Sequence, residues 1–305
     1  MFHSYQAGPS PFHPPRITNN KTYMKTYTPP DITGIKAMSL ANNRAEYEAL
    51  PGLNQTLAKV LLRSPAKYKH ALANPSKATA ALREGIMTHA CVLQPDVFAK
   101  YKPDPDVKKN TKEGKAAYEY WKTTLKADDV PCDCDEYDNA IHYADGLRAV
   151  MASHGIRVHA AEIALTGTYM GVALKGSIDF IGQDGYLYDL KTTREDATPH
   201  GFGRELQRNP DFRLQAAWYM HLWKLNYGET PRGFRIIAVE KEAPYEGAVF
   251  ELDQELVADG GIKMLEAITL FQKCSEFDSW PTYSPEIIKV EPWKKPGEAV
   301  PLSFS

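Results

Sequence analysis

Reactive side chains concentrate in one stretch: Gly176-Ser-Ile-Asp179-Phe-Ile, a Gly182-Gln-Asp-Gly185 turn, then Tyr188-Asp189-Leu-Lys191-Thr-Thr. Strand side chains alternate between faces, so Asp189 and Lys191 project together while Tyr188 and Leu190 take the other side. Asp179 joins them if it stands opposite Asp189, which demands an odd connection or a bulge, a role Gly185 suits. Opposed side chains stand ~4.5–5.5 Å apart at Cβ. Two carboxylates that close repel unless one holds a proton or a cation lies between them. Oxygen ligands favour Mg2+, with Mn2+ as a substitute, over zinc. A lysine beside such a cation is placed to orient or deprotonate a water and to stabilise charge building on a phosphoryl oxygen. Taken alone, the same string also describes a plain hairpin in which Asp179 caps the turn and Asp189 and Lys191 are solvated.

The elements that must position these groups are legible in outline. The first half reads as helical, with Asn54 capping a helix to about Arg63, Ser64-Pro65 starting another, and Ser76 opening a run that ends before Pro95. Further helical patterns cover about 112–125 and 135–153. Strand patterns follow at 157–166, 171–181 and 186–193, helices at 199–208 and 211–226, strands at 233–240 and 246–252, and a final helix from Asp253 to Phe277. This order predicts a single α/β (α+β) domain over 36–280. The proline-rich ends predict a flexible arm over 1–35 and an extended tail over 281–305.

Composition narrows the function. The chain has 305 residues with 36 Lys+Arg against 38 Asp+Glu, a net charge of −2 that excludes holding polyanions by bulk charge. Any nucleic acid must meet a local patch. No stretch approaches ~18 apolar residues, so no membrane span is expected. The beginning lacks a basic segment followed by an apolar run, and the four scattered cysteines (Cys91, Cys132, Cys134, Cys274) do not suit a disulfide framework, so a cytoplasmic location is expected.

Two further motifs complete a pattern. Gly85-Ile-Met-Thr-His89 lies in a helical run, and Arg213-Leu-Gln215-Ala-Ala-Trp-Tyr219 puts Gln215 and Tyr219 one turn apart on one helix face. With Asp179 and Asp189-x-Lys191, this order resembles the PD-(D/E)xK nuclease superfamily, in its RecB-like clade. Leu53-Asn-Gln-Thr-Leu, Ser64-Pro-Ala-Lys-Tyr68, His89-Ala-Cys-Val-Leu93-Gln-Pro-Asp and Val239-Glu-Lys-Glu-Ala-Pro-Tyr245 are similar to the RecE-like phage exonucleases of the exodeoxyribonuclease VIII type, over about 45–277. The sequence departs from the commonest patterns in having Asp189 where many members have Glu, and Asn54 and Thr56 where relatives often have serines.

The resemblance implies a restriction-endonuclease-like core, a mixed central sheet flanked by helices, with a helical amino-terminal part. It implies that Asp179 and Asp189 bind metal, that Lys191 positions or activates the water, and that His89 is a further ligand with Glu162 an acidic neighbour. Gln215 and Tyr219 would line the groove, Arg213 (near Arg204 and Arg208) would hold DNA, and Ser177 and Thr56 would donate to a phosphate. From the residues alone, His89 is an ordinary core histidine and Gly85 a point of close approach to a strand.

The implied activity is Mg2+-dependent digestion of linear double-stranded DNA from its ends, 5′ to 3′, leaving 3′ tails for phage-type recombination. The implied partners are duplex ends, a homo-oligomeric ring and a single-strand annealing protein. Competing readings are a single-strand nuclease of the same clade and a non-catalytic DNA-binding scaffold. No iron–sulfur cluster is expected, because only Cys274 lies near the carboxy-terminal end. Two bound divalent ions would turn a net charge of −2 into +2, with the gain confined to the cleft.

Overall fold

In the computed structural model, residues 38–39, 46–75, 77–283, 287 and 289 are described. The expected arm over 1–35 and most of the tail over 281–305 lie outside them. In chain order the elements are β1 (Met38–Ser39), α1 (Gln55–Arg63), α2 (Pro65–Ala73), α3 (Ala80–Leu93), α4 (Pro95–Phe98), β2 (Tyr101–Pro103), α5 (Lys112–Thr124), β3 (Val130–Cys132) and α6 (Cys134–Ser153). There follow β4 (Val158–Tyr169), β5 (Val172–Gly182), β6 (Tyr186–Thr193), α7 (Phe202–Arg208), α8 (Pro210–Tyr227), β7 (Gly233–Glu240), β8 (Gly247–Glu251) and α9 (Gln254–Glu276).

Local chemistry sets the helix starts. Asn54 accepts from the Leu57 N–H at 2.8 Å, and Ser64 accepts from the Lys67 N–H with Pro65 in the first turn. Thr79, rather than Ser76, caps α3 by accepting from the Leu82 N–H at 3.2 Å, and residue 76 lies outside the described set. The short pair β2–β3 was not expected; three-residue strands with two prolines carry too little periodicity to read.

The main sheet runs β1-β4-β5-β6-β7-β8. Its first four strands pair antiparallel, β6 and β7 pair parallel, and β8 closes the edge antiparallel. A parallel neighbour requires a crossover, which α7 and α8 supply. The central strands β6 and β7 are therefore buried on both faces. On one face Leu187, Phe234, Ile236 and Ala238 join Trp218, Leu222 and Trp223 of α8. On the other, Tyr188, Leu190, Ile237 and Val239 join Tyr143, Leu147 and Val150 of α6. Behind α8 lies α9, brought close because Gly260 has no side chain: a Cβ there would stand 2.0 Å from the Arg213 carbonyl oxygen.

The alternation breaks at one row. Ile163 and Ile178 belong to the α8-side cluster, whereas Ala161 and Phe180, each two residues away, pack in the α6-side cluster. Between them the register pairs Ala161 with Phe180 and Ile163 with Ile178, leaving Glu162 and Asp179 facing each other but out of the ladder. Glu162 has φ 52°, a left-handed conformation that a glutamate rarely adopts. Both strands thus turn over together at this row.

Candidate active site

The β5–β6 hairpin turns through Gly182–Gly185, with Gly185 at φ 83° and its N–H donating to the Gly182 carbonyl at 2.9 Å. Phe180 then pairs with Tyr188 and Ile181 with Leu187, so the next pair in that register is Asp179 and Asp189. The ladder ends there. Asp179 Oδ2 accepts from the Leu190 N–H at 2.7 Å, so a side chain takes the place of a ladder bond and the strands fork. With Glu162 across from Asp179 on β4, three carboxylates lie in one row across three adjacent strands.

Both central carboxylates are buried, Asp179 at 9% exposure and Asp189 at 2%. Asp189 lies on the α8 side of β6, where Gln215 Nε2 donates to its Oδ1 at 2.6 Å. Lys191, two residues on and on the same face, pairs with Asp189 Oδ2. Burial alone lowers the Lys191 ammonium pKa, but Asp189 and Asp179 outweigh it and hold it above its usual range. Lys191 is thus a cation in this arrangement, fitted to orienting groups and stabilising negative charge. Burial raises Asp179 above the ordinary carboxylate range and Asp189 adds to the rise, with His89, Lys191 and the Leu190 N–H offsetting part of it.

His89 on α3 reaches the same fork. Its Nε2 is 3.0 Å from the Leu190 carbonyl, which can only accept, so Nε2 carries a proton. In the neutral ring the Nδ1 lone pair then faces Asp179 Oδ2 at 3.5 Å. A lone pair and a carboxylate aimed at each other call for a proton or cation between them, and an imidazole anchored through its other nitrogen to a carbonyl is the usual arrangement of a metal-binding histidine. Among the described residues, no group of three or more His, Cys, Asp or Glu side chains is arranged to hold a metal ion. In chemistry the donor set still fits a hard divalent cation: Asp179 and Asp189 would hold it, with His89 and Glu162 beside them.

A cleft of about 520 Å3 opens over the fork, lined by Tyr47, Gln55, Gly85, Ile86, His89, Glu162, Ser177, Asp179, Asp189, Lys191, Gln215 and Tyr219 among others. The structure therefore brings together eight of the ten expected site residues. Thr56 is exposed and lies outside the cleft; its neighbour Gln55 lines it and hydrogen-bonds the Tyr219 hydroxyl. One residue along a helix is a rotation of about 100°, which the start of α1 alone does not resolve. Arg213 points away: its Nη1 pairs with Asp259 on α9 at 2.5 Å and its Nη2 donates to the Gln207 carbonyl. It shares α8 with Gln215 but lies two residues away, on another face. Gly85 has open space where a Cβ would be, so it keeps the cleft clear rather than admitting a strand.

Lys59, absent from the expected set, lies one turn after Gln55 on α1, a spacing visible in the sequence. Burial pushes its ammonium down to about 8, with Asp211 opposing and Lys191 assisting. A base whose folded pKa lies below its ordinary 10.5 binds fewer protons folded than unfolded between about 8 and 10.5, so stability rises with pH across that window. Lys59→Met is expected to raise Tm at pH 7 by roughly 2–4 °C, about 1 kcal/mol in a chain of this size, with the advantage shrinking above pH 8. Melting curves of both proteins from pH 7 to 10.5 check this; a constant or negative difference contradicts it.

The PDDEXK-like domain of unknown function, DUF3799, matches residues 55–290. The chain belongs to this PDDEXK-like family. Among solved structures it is similar to a "putative exonuclease" from Eubacterium rectale, at 11% identity and TM-score 0.53, covering 83% of this chain and 93% of that one. At that identity the likeness shows the fold alone, a mixed α/β core. The structure of SSO0001 also matches, at 13% identity over 71% of this chain and 85% of that one, but its TM-score of 0.26 carries no argument. A comparison with curated proteins found no significant match. No described helix is long and apolar enough to cross a membrane.

Proposed function

We propose that this PDDEXK-like protein is a divalent-metal-dependent deoxyribonuclease that digests linear duplex DNA from its ends. One observation carries the reading: the hairpin register places Asp189 beside Asp179 at a fork, with Lys191 on Asp189 and Gln215 behind it. A core that needed only stability would not bury two carboxylates side by side, since the charge of Asp189 raises the cost of ionising Asp179. The pairing makes sense where positive charge is to be gathered at a phosphodiester.

A bound divalent ion supplies Lewis acidity and a water of lowered pKa. The protein's own groups do the rest. Lys191, held cationic, orients the attacking water and stabilises charge on the phosphoryl oxygens. Gln215 fixes the Asp189 carboxylate by its bond to Oδ1, and the Leu190 N–H fixes that of Asp179. Ser177 and Gln55 offer neutral donors along the cleft. Burial and the two carboxylates keep the Tyr219 phenol well above its usual pKa, so it stays neutral.

The finer reading follows the RecE-like resemblance: Mg2+ as the ion, 5′-to-3′ polarity, 3′ tails for recombination, a ring-shaped oligomer around the duplex, and a single-strand annealing partner. Linear duplexes with 5′-phosphate, 5′-hydroxyl or blocked ends, with Mg2+ or chelator, test it through which strand shortens. Shortening of the 5′-ended strand, only with metal and only from open ends, is expected. Digestion of single strands alone would favour the single-strand nuclease, and inertness toward all substrates would favour the scaffold.

A further inference from the structure

Lys175 on β5 has only 7% of its surface exposed, yet it lies outside the constellation described above. Its ammonium donates to three carbonyls of one turn: Tyr47 at 3.2 Å, Glu48 at 3.1 Å and Leu50 at 2.7 Å. A lysine has three N–H donors, and all three are committed here. Just beyond that turn the chain is tied to β5 by backbone bonds, Leu53 N–H to the Ala173 carbonyl and Lys175 N–H to the Leu53 carbonyl, each at 2.9 Å. The Lys175 carbonyl in turn accepts from Trp218 Nε1 at 3.1 Å, anchoring the lysine to the core.

Burying a lysine to hold a turn is costly, because an apolar side chain of similar size would pack there without desolvating a charge. The turn itself is largely exposed at Glu46, Glu48 and Ala49, so it adds little core. What the clasp does fix is Tyr47. The Lys175 ammonium stands 5.1 Å from the Tyr47 ring centre, and Tyr47 lines both the cleft and a neighbouring cavity of about 660 Å3, forming the wall between them. Ser177, on the same face of β5 two residues beyond Lys175, also lines the cleft. A half-buried phenol held in the wall of a phosphodiester site presents a flat surface to a base, and stacking of that kind is indifferent to sequence.

We propose that Tyr47 stacks on a nucleotide next to the scissile phosphate, and that Lys175 is its positioning residue, clasping the turn 46–50 so that the ring stands in the cleft wall. The inference rests on the nuclease reading above. It is tested in the full chain with Tyr47→Ala, Tyr47→Phe, Lys175→Met and Lys175→Arg. The readouts are steady-state digestion of linear duplex and the fluorescence of 2-aminopurine placed at the DNA end, measured with Ca2+ in place of the hydrolytic metal.

Tyr47→Ala should raise KM about ten-fold, more than it alters kcat, and abolish the 2-aminopurine change seen with the natural protein. Tyr47→Phe should retain both. Lys175→Met should reproduce the KM and fluorescence losses of Tyr47→Ala, the double variant should be no worse than either single one, and Lys175→Arg should recover part of the loss. Unchanged KM and fluorescence in Tyr47→Ala would overturn the stacking role. A Lys175→Met protein with lowered Tm but intact fluorescence would overturn the positioning role; if that variant does not fold, Lys175→Arg set against Tyr47→Ala decides the same point. A natural protein that binds and stacks DNA without cutting it would sink the nuclease reading while leaving the stacking intact.

Discussion

Asp189→Asn is expected to lower the rate of duplex digestion by about 10^3-fold or more while leaving Tm nearly unchanged. The loss corresponds to about 4 kcal/mol of transition-state stabilisation, a size that removing a metal-holding charge readily produces. Stability should hold because the change is nearly isosteric. The Asn oxygen can still accept from Gln215, and the neighbouring Asp179 loses one of the charges that raise its pKa. Lys191 loses its partner, but its side chain is 28% exposed and can turn to solvent. The same substitution should remove the rise in Tm that Mg2+ or Mn2+ gives the natural protein, about 1.4 kcal/mol at ten times the dissociation constant. Digestion assays and melting curves with and without metal measure both. Equal metal stabilisation in the two proteins would remove Asp189 from the ion site, whatever the activity.

Trp218→Ala is expected to cost about 3–5 kcal/mol of folding stability, the range for deleting a large buried aromatic. Trp218 is fully buried, one residue before Tyr219, within the cluster that joins α8 to the sheet. Its loss leaves a cavity and also deprives the Lys175 carbonyl of its donor. Trp218→Phe keeps most of the volume and should cost about 1–3 kcal/mol, chiefly the unpaired carbonyl. Urea denaturation followed by circular dichroism gives both values. A Trp218→Ala protein within about 1 kcal/mol of the natural one would mean that α8 is held to the sheet by other contacts, with α9 and Gly260 the first to examine.

The two effects are of different kinds, and they track what could be read from residue order. Capping residues, strand alternation in β6 and the Gly182–Gly185 turn are local, and they placed most elements to within a few residues. Asp189, Lys191, Gln215 and Tyr219 could be recognised because each pair sits at a spacing that one strand or one helix converts directly into a shared face. Thr56 and Arg213 show the limit of that logic. Both are near the right residues in sequence, but which side of α1 faces the cleft, and which side of α8 faces α9, is decided by packing.

The sequence alone determined a mixed α/β chain whose Asp-Asp-x-Lys hairpin is followed by a Gln-x-x-x-Tyr helix, because these patterns depend on the short periods of strands and helices. Only the tertiary structure decided that Glu162 and Asp179 leave the ladder together, that the hairpin forks at Asp189, and that Lys175 spends its donors on the turn bearing Tyr47. Those features join residues 10 to 128 positions apart. They arise where the face alternation of two strands is broken, and no local period encodes such a break.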